Sequence, residues 1–371
     1  MKITLKETPE QVELIKALAS KDLNVAYEAK AAVADLVGPI ISEVINNAMS
    51  ITNLYTTLAF SEDDNLSIPL DLYHDITDED YIRVHSQTMA GGLSSNELYP
   101  AHDELKFKTY SLDSAWSFDK KYARKARLDV VSKTFTRMAQ EFLAKQEKTS
   151  INQLLGALAA ADTNVGAGAV AGNHIIETAS DSVLTIHDFN NLITRSKRLW
   201  SSFSSGTPVD GAKVGITDLL MSPEMTEEIR ALAYQPVNTR SGAVDTSGAS
   251  SIAATDSMRE QILSAGGLPS IFGIGIIELL EFGIGQRYNK IFDALKGSIS
   301  FTQASDEILV GIDRRAPGLW RPAVREEGVS SDVNVMVDDQ FAVRQSKIGY
   351  FAKIVEGRCI SEDRCLTALI C

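Results

Sequence analysis

The sequence predicts an α+β protein, and three observations carry that prediction. A proline-free stretch, 128–158, repeats apolar residues at steps of three and four: Leu128, Val131, Phe135, Met138 and Phe142. That spacing lines one face of a helix. Runs of β-branched and aromatic residues stand on both sides of it, among them ITNLYTTLAF at 51–60 and VGITDLLM at 214–221, and these read as strands. Between the first run and the helix lies a polar, acidic excursion with its own strand-like pieces.

The helix is the organising element. Lys, Gln, Glu, Ala and Met fill most of its other positions, and these are good helix formers. A helix of that length spans roughly 45 Å at 1.5 Å per residue, more than about twice the globular mean. Such a rod suits a thin, extended subunit better than a small compact domain.

The flanking elements follow in order. Residues 1–50 read as a helical arm: Thr8-Pro9-Glu10 is a helix start with proline at the first helical position. Gly38-Pro39 is expected to break the helix. Residues 61–118 read as a long two- or three-stranded hairpin extension, with pieces at 66–72, 81–85 and 105–118 and a turn at Gly91-Gly92. A lone hairpin is marginal in water, so it should lie on something. Ile186–Trp200 reads as a second amphipathic helix. Ser222-Pro223-Glu224 opens a third, with serine as cap. Later strands are expected at 268–281, 307–312, 333–337, 341–356 and 365–370.

Charge is uneven along the chain. Its 371 residues are 44% hydrophobic, ample for a sizeable core, and carry a net charge of −13. That balance disfavours a general nucleic-acid binder, whose affinity comes from Lys and Arg on phosphates. Residues 61–105 hold eleven acids and one base, Arg83; residues 119–148 hold nine bases and four acids. The two segments are candidates to meet, within one chain or between chains, against the alternative of two solvated faces. The candidate contact residues are Lys120, Lys121, Arg124, Lys125 and Arg127 on the basic side, and Asp75, Asp78, Glu79 and Asp80 on the acidic side. His74, His85 and His102 fall among the carboxylates and read as loop histidines.

The common signatures of catalysis and metal binding are missing. There is no G-x-x-x-x-G-K-[ST] loop, no H-E-x-x-H, no G-x-S-x-G and no paired C-x-x-C. GIGIIELLEFGIG at 273–285 lacks the dinucleotide spacing, and its glycines read as strand boundaries. No cofactor and no metal are expected. The cysteines, Cys359, Cys365 and Cys371, fit no common zinc pattern. They are either free thiols or a disulfide formed after release from a reducing cell. No signal peptide and no membrane span are read.

Four passages resemble the major capsid protein of tailed double-stranded-DNA bacteriophages, the Hong Kong 97 capsid fold. KKYARKARLDVVSKTFTRMAQEFLAKQE resembles the entry to that family's spine helix, and ITDLLMSPEMTEEIRALAY the strand and helix of its peripheral domain. GLPSIFGIGIIELLEF resembles an axial-domain strand, and DDQFAVRQSKIGYFAKIVEGRCI the returning strand near the C-terminus. The resemblance implies an N-terminal arm at 1–50 and a peripheral domain from 51–60 and 119–234, with the spine helix at about 126–160. It further implies an extended loop at 61–118, an axial domain at 235–340, and strands at 341–371 returning to the peripheral domain.

The function implied is structural: self-assembly into hexamers and pentamers of an icosahedral head enclosing double-stranded DNA. The acidic loop of one subunit would lie on the basic helix of its neighbour. The partners implied are the chain itself, a separate scaffolding protein, a portal and a decoration or cement protein, in a virion assembled in the host cytoplasm. Two alternatives stand beside it. One is an encapsulin-type nanocompartment shell. The other is an α+β enzyme with an unrecognised site, for which Asp218, Glu224 and Asp338 are the candidate acids.

Overall fold

A computed structural model describes residues 8–46, 48, 51–69, 104–125, 127–163, 174–178, 184–200, 215–232, 236–237, 252–253, 270–315, 318–326, 331–338 and 346–371. In chain order these form α1 (Pro9–Ala17), α2 (Leu23–Asn46), β1 (Thr56–Ser61), β2 (Ser67–Pro69), β3 (Glu104–Lys106), β4 (Tyr110–Asp119), α3 (Lys120–Arg124), α4 (Leu128–Thr163), β5 (Ile175–Glu177), α5 (Ile186–Arg198) and β6 (Asp218–Met221). There follow α6 (Pro223–Leu232), β7 (Pro236–Val237), β8 (Ile252–Ala253), β9 (Ser270–Ile271), β10 (Ile274–Glu278), α7 (Arg287–Leu295), β11 (Ile308–Ile312), β12 (Leu319–Arg325), β13 (Asn334–Asp338), β14 (Lys347–Glu356), β15 (Cys359–Ile360) and β16 (Leu366–Ile370). The chain is α+β, as its pattern predicts, and divides into two compact units.

The first unit takes residues 1–68, 105–151 and 319–359. Its sheet is built on β14, which pairs antiparallel with all ten residues of β4. On its other edge β14 meets β13 over 349–353 and β12 at its end. β12 runs parallel to β1. Even-numbered residues of β4 alternate inward, with Leu112 and Phe118 buried, the period-two pattern of a half-buried strand. Against this face lie Val131, Phe135, Met138 and Phe142 of α4 and Val33, Val37, Ile41 and Ile45 of α2. Tyr350 is the centre of that packing, 5.5 Å edge-on from Phe135 and 6.4 Å from Phe118 between ring centroids.

The second unit takes residues 69–104, 152–318 and 360–371. Its six strands run in the order β5-β16-β11-β6-β10-β9. β6, β11 and β16 are buried almost throughout. Phe189 and Leu192 of α5 and Met225 and Ile229 of α6 pack on them. α5 starts in a full capping box, Thr185 with Asp188, and α6 on Ser222, whose Oγ accepts from the Met225 amide at 3.0 Å.

Several expectations need correcting. The helix α2 runs straight through Gly38-Pro39. Proline costs it one backbone bond, but Gly38 lets the helix close on the sheet: a Cβ there would lie 3.3 Å from the Val333 carbonyl. Residues 9–46 bury apolar side chains, among them Ile15, Leu18, Val33, Val37 and Ile41, in the core of the first unit. Residues 110–119 belong to the large sheet, and among the described residues β2 and β3 pair as a stem for the excursion. Strand pairing also crosses the expected domain boundaries. β6, α5 and α6 were expected in the peripheral domain with the start of α4, but share a sheet and core with β10, β11 and β16; β12 and β13 were expected in the axial domain, but pair with β1 and β14. Hydropathy marks strands without naming their partners, so segments far apart in sequence cannot be sorted by it.

Candidate functional site

The most unusual side-chain cluster of the first unit is an ionic centre under α4. Glu356, at the end of β14, is fully buried, and so is Gln146 of α4; Arg321 of β12 is 3% exposed. Glu356 Oε2 accepts from Arg321 Nε at 2.9 Å and from Gln146 Nε2 at 2.9 Å. Its Oε1 forms an ion pair with Arg358 Nη2 at 3.1 Å. Arg358 Nε donates to Ser150 Oγ at 2.9 Å, and its Nη1 to the Gly357 carbonyl at 2.7 Å. Ser150 Oγ donates onward to the Gln146 carbonyl at 2.8 Å, and Tyr55 donates to the Ser150 carbonyl at 2.9 Å. Two guanidiniums face one carboxylate, so the centre carries one excess positive charge in a place poor in water. Breaking such a cluster is costly, because it leaves a buried charge without its partner, while the intact cluster adds little over an apolar replacement. Nearby, the Tyr110 hydroxyl is pushed up, by burial first and by Glu356 second.

This centre escaped the sequence reading. Gln146 and Glu356 are 210 residues apart. The available signal was charge inside apolar text: Arg321 in LWRPAV, and Glu356 and Arg358 flanking Gly357. Gly357 itself is obligatory, because a Cβ there would sit 2.4 Å from the Lys108 carbonyl.

The predicted basic residues do not start the long helix. Lys120, Lys121 and Arg124 form the separate short helix α3, Lys125 follows it, and α4 begins only at Leu128. Lys121, Arg124, Lys125 and Arg127 are exposed, and Lys120 is half-buried. Lys121 pairs with Asp119 at 2.9 Å, and its ammonium is raised chiefly by that hydrogen bond. Their expected partners, Asp75, Asp78, Glu79 and Asp80, lie outside the described residues, as do His74, His85 and His102.

The candidate acids are spread over both units. Asp218 accepts from Thr217 Oγ1 at 2.7 Å and stands 4.0 Å from Arg314. Glu224 lies in the first turn of α6, and Asp338 closes β13 in the other unit. Glu307 accepts from Ser222 Oγ at 2.6 Å. Burial raises its carboxyl, and Glu224 and Glu228 raise it further. The three cysteines are free thiols in the chain. Burial raises all three: Cys359 modestly, Cys365 strongly, and Cys371 to about 11, with Glu228 adding to the last. Thiols raised this way are poor nucleophiles at neutral pH. Among the described residues no cluster of His, Cys, Asp and Glu could hold a metal, and no helix is long and apolar enough to cross a membrane.

Both units expose large apolar side chains. Leu23 is 82% exposed and Tyr27 56% in the first; Leu280 is 73% and Phe272 56% in the second.

No family model matches the chain, and neither does any curated protein. Solved structures with a similar fold are phage capsids and other shells. The capsid of the native GTA particle is 11% identical, with 86% of this chain and 89% of that one covered and a TM-score of 0.46. The capsid of the cyanophage P-SCSP1u is 12% identical, with 85% and 86% covered and a TM-score of 0.47. The holo-SrpI encapsulin complex from Synechococcus elongatus is 11% identical, with 86% and 85% covered and a TM-score of 0.45.

Proposed function

We propose that the chain is a structural, non-catalytic shell protein that assembles with copies of itself, and that its shell is the icosahedral head of a tailed phage enclosing double-stranded DNA. The observation that carries this reading is the exposure of Leu23, Tyr27, Phe272 and Leu280 across both units. Single exposed apolar side chains are ordinary, but Leu23 and Tyr27 stand four apart on one face of α2, and a shared apolar face of that kind is a candidate for cover by another chain. The order of elements supports it: packed N-terminal helices, a stem of two three-residue strands beneath an acidic excursion, and a 36-residue helix. The head would draw on a scaffolding protein, a portal and a decoration protein, as a virion component assembled in the host cytoplasm.

The exposed bases of 121–127 are the proposed seat for the acidic segment of a neighbouring subunit. Each exposed pair contributes only about 0–1 kcal/mol, so register is what they set, repeated by symmetry. Purified protein viewed by negative-stain microscopy should show uniform closed shells; small monodisperse oligomers would end the shell reading. Reversing Lys121, Arg124 and Lys125 together to Glu should leave the circular dichroism spectrum unchanged and abolish particles. Shells of normal yield from that variant would remove the charge contact while leaving the shell reading in place. Particles that co-purify with an enzyme and no DNA would identify a nanocompartment instead.

A further inference from the structure

The strand β4 leaves one whole edge open. Its ten residues pair with β14 on one side, and among the described residues no strand lies on the other. The bonding phase is fixed by the Lys120 amide, which donates to the Ser346 carbonyl at 3.0 Å. Counting back by twos through an unbroken antiparallel register, residues 118, 116, 114, 112 and 110 bond inward to β14. The amides and carbonyls of Ser111, Asp113, Ala115, Ser117 and Asp119 therefore point outward. An edge of that length, about 33 Å, is a template for another strand and is ordinarily covered or blunted.

The chemistry of the edge selects its occupant. On one face of β4 stand Ser111, Asp113, Ala115 and Ser117, all exposed, then Asp119, which also pairs with Lys121 of α3 at 2.9 Å; β4 itself brings two acids and no base to that face. Asp113 lies opposite Lys353 and Asp119 opposite Lys347, so a third strand with lysines on that face would continue an alternation of sign. On the other face Leu112 and Phe118 are buried and Trp116 packs against the core, so the added strand should be apolar there. A second copy of β4 fails the first requirement, because it brings only acids.

Met1–Glu7, MKITLKE, meets both. Lys2, Thr4 and Lys6 fall on one side of a strand, and Met1, Ile3 and Leu5 on the other. With Lys2 or Lys6 opposite Asp113, the other lysine falls opposite Ser117, diagonal to Asp119 and within reach of it. The tether is short. α1 begins at Pro9 and packs against α3, which continues directly from β4. α1 is about 13 Å long, and seven extended residues reach about 23 Å. A segment held that close is present at an effective concentration in the millimolar range. We propose that residues 1–7 of the same chain add as a seventh strand to the open edge of β4, lysines over its aspartates and Ile3 and Leu5 beside Trp116.

Hydrogen exchange of the full-length protein tests this. In peptides covering 110–119, exchange should be at least about tenfold slower than in the variant lacking residues 1–7. Lys2→Glu with Lys6→Glu should reproduce the loss of protection. Thr4→Cys combined with Ala115→Cys should form, on mild oxidation, a disulfide within single chains at monomer mass. Equal exchange with and without residues 1–7 would overturn the proposal. So would a crosslink found only between chains, which would assign the strand to a neighbouring copy.

Discussion

In the first unit, Arg321, Glu356, Arg358, Gln146 and Ser150 bring charge and amide groups to the place where α4 meets the sheet. In the second, the corresponding layer is β6, β11 and β16, where Leu219, Leu220, Met221, Val310 and Leu369 have no exposure at all. Apolar packing tolerates volume-conserving exchanges of one side chain for another at little cost. A buried carboxylate with two guanidiniums tolerates none, since a displaced member loses its partner inside a poor solvent. The first unit thus adds a buried ionic contact to an apolar core and a long strand pairing, where the corresponding layer of the second relies on strand pairing and close packing alone.

The sharpest way to break this contrast is to remove the carboxylate. Glu356→Ala strands two buried guanidiniums and should cost about 3–5 kcal/mol, read as a loss of hydrogen-exchange protection confined to peptides of the first unit. If the second unit loosens equally, the two do not respond separately. The matching change in the second unit is Gly311→Ala. A Cβ there would lie 2.8 Å from Ile216 Cδ1 and 2.9 Å from Thr367 Oγ1. Overpacking of that kind costs about 1–3 kcal/mol, seen as a lower denaturation midpoint in peptides of the second unit. No loss would mean that the layer has slack, and that packing does not specify it.

What the sequence disclosed follows the same division. Periodicity located α4 and α5, and Ser222-Pro223 located the start of α6, because these signals are local. Besides the two-residue strands β7, β8 and β15, two longer elements went unread. α7 follows Gly285 without a capping side chain, and β12 carries Pro322, which ordinarily argues against a central strand. Pro322 is tolerated because β14 pairs only with Ala323 and Val324 there, and the Pro322 carbonyl still accepts from Gly357 at 2.8 Å. The ionic centre was unreadable for a different reason: its members come from three elements and the loop after β14, and nothing in the spacing of residues 146, 321, 356 and 358 announces that they meet. The basic residues of 120–127 were visible as charge, but their separation from α4 was not.

The smallest effect separates the units by sign. In the second unit Glu307 is raised by burial, then by Glu224 and Glu228, and Glu362 is raised chiefly by burial. A carboxyl raised on folding contributes stability that is full below its ordinary value and is lost as pH rises through the raised value. In the first unit Glu326 is lowered, chiefly by the hydrogen bond from Lys353 at 2.9 Å. Its contribution is present above the ordinary carboxylate value and is lost as pH falls through the lowered one. Acidification from neutral pH toward about 4, the ordinary carboxylate range, should therefore tighten the second unit first, and only further acidification should loosen the first. Glu326 is partly open to solvent, so its share is small. Urea titrations at stepped pH, followed by peptide-resolved exchange, give the two trends separately. Glu307→Gln should flatten part of the trend in the second unit, leaving the share of Glu362, and should leave the first unchanged. A common direction in both units would show that net charge, rather than these carboxyls, governs the response to acid.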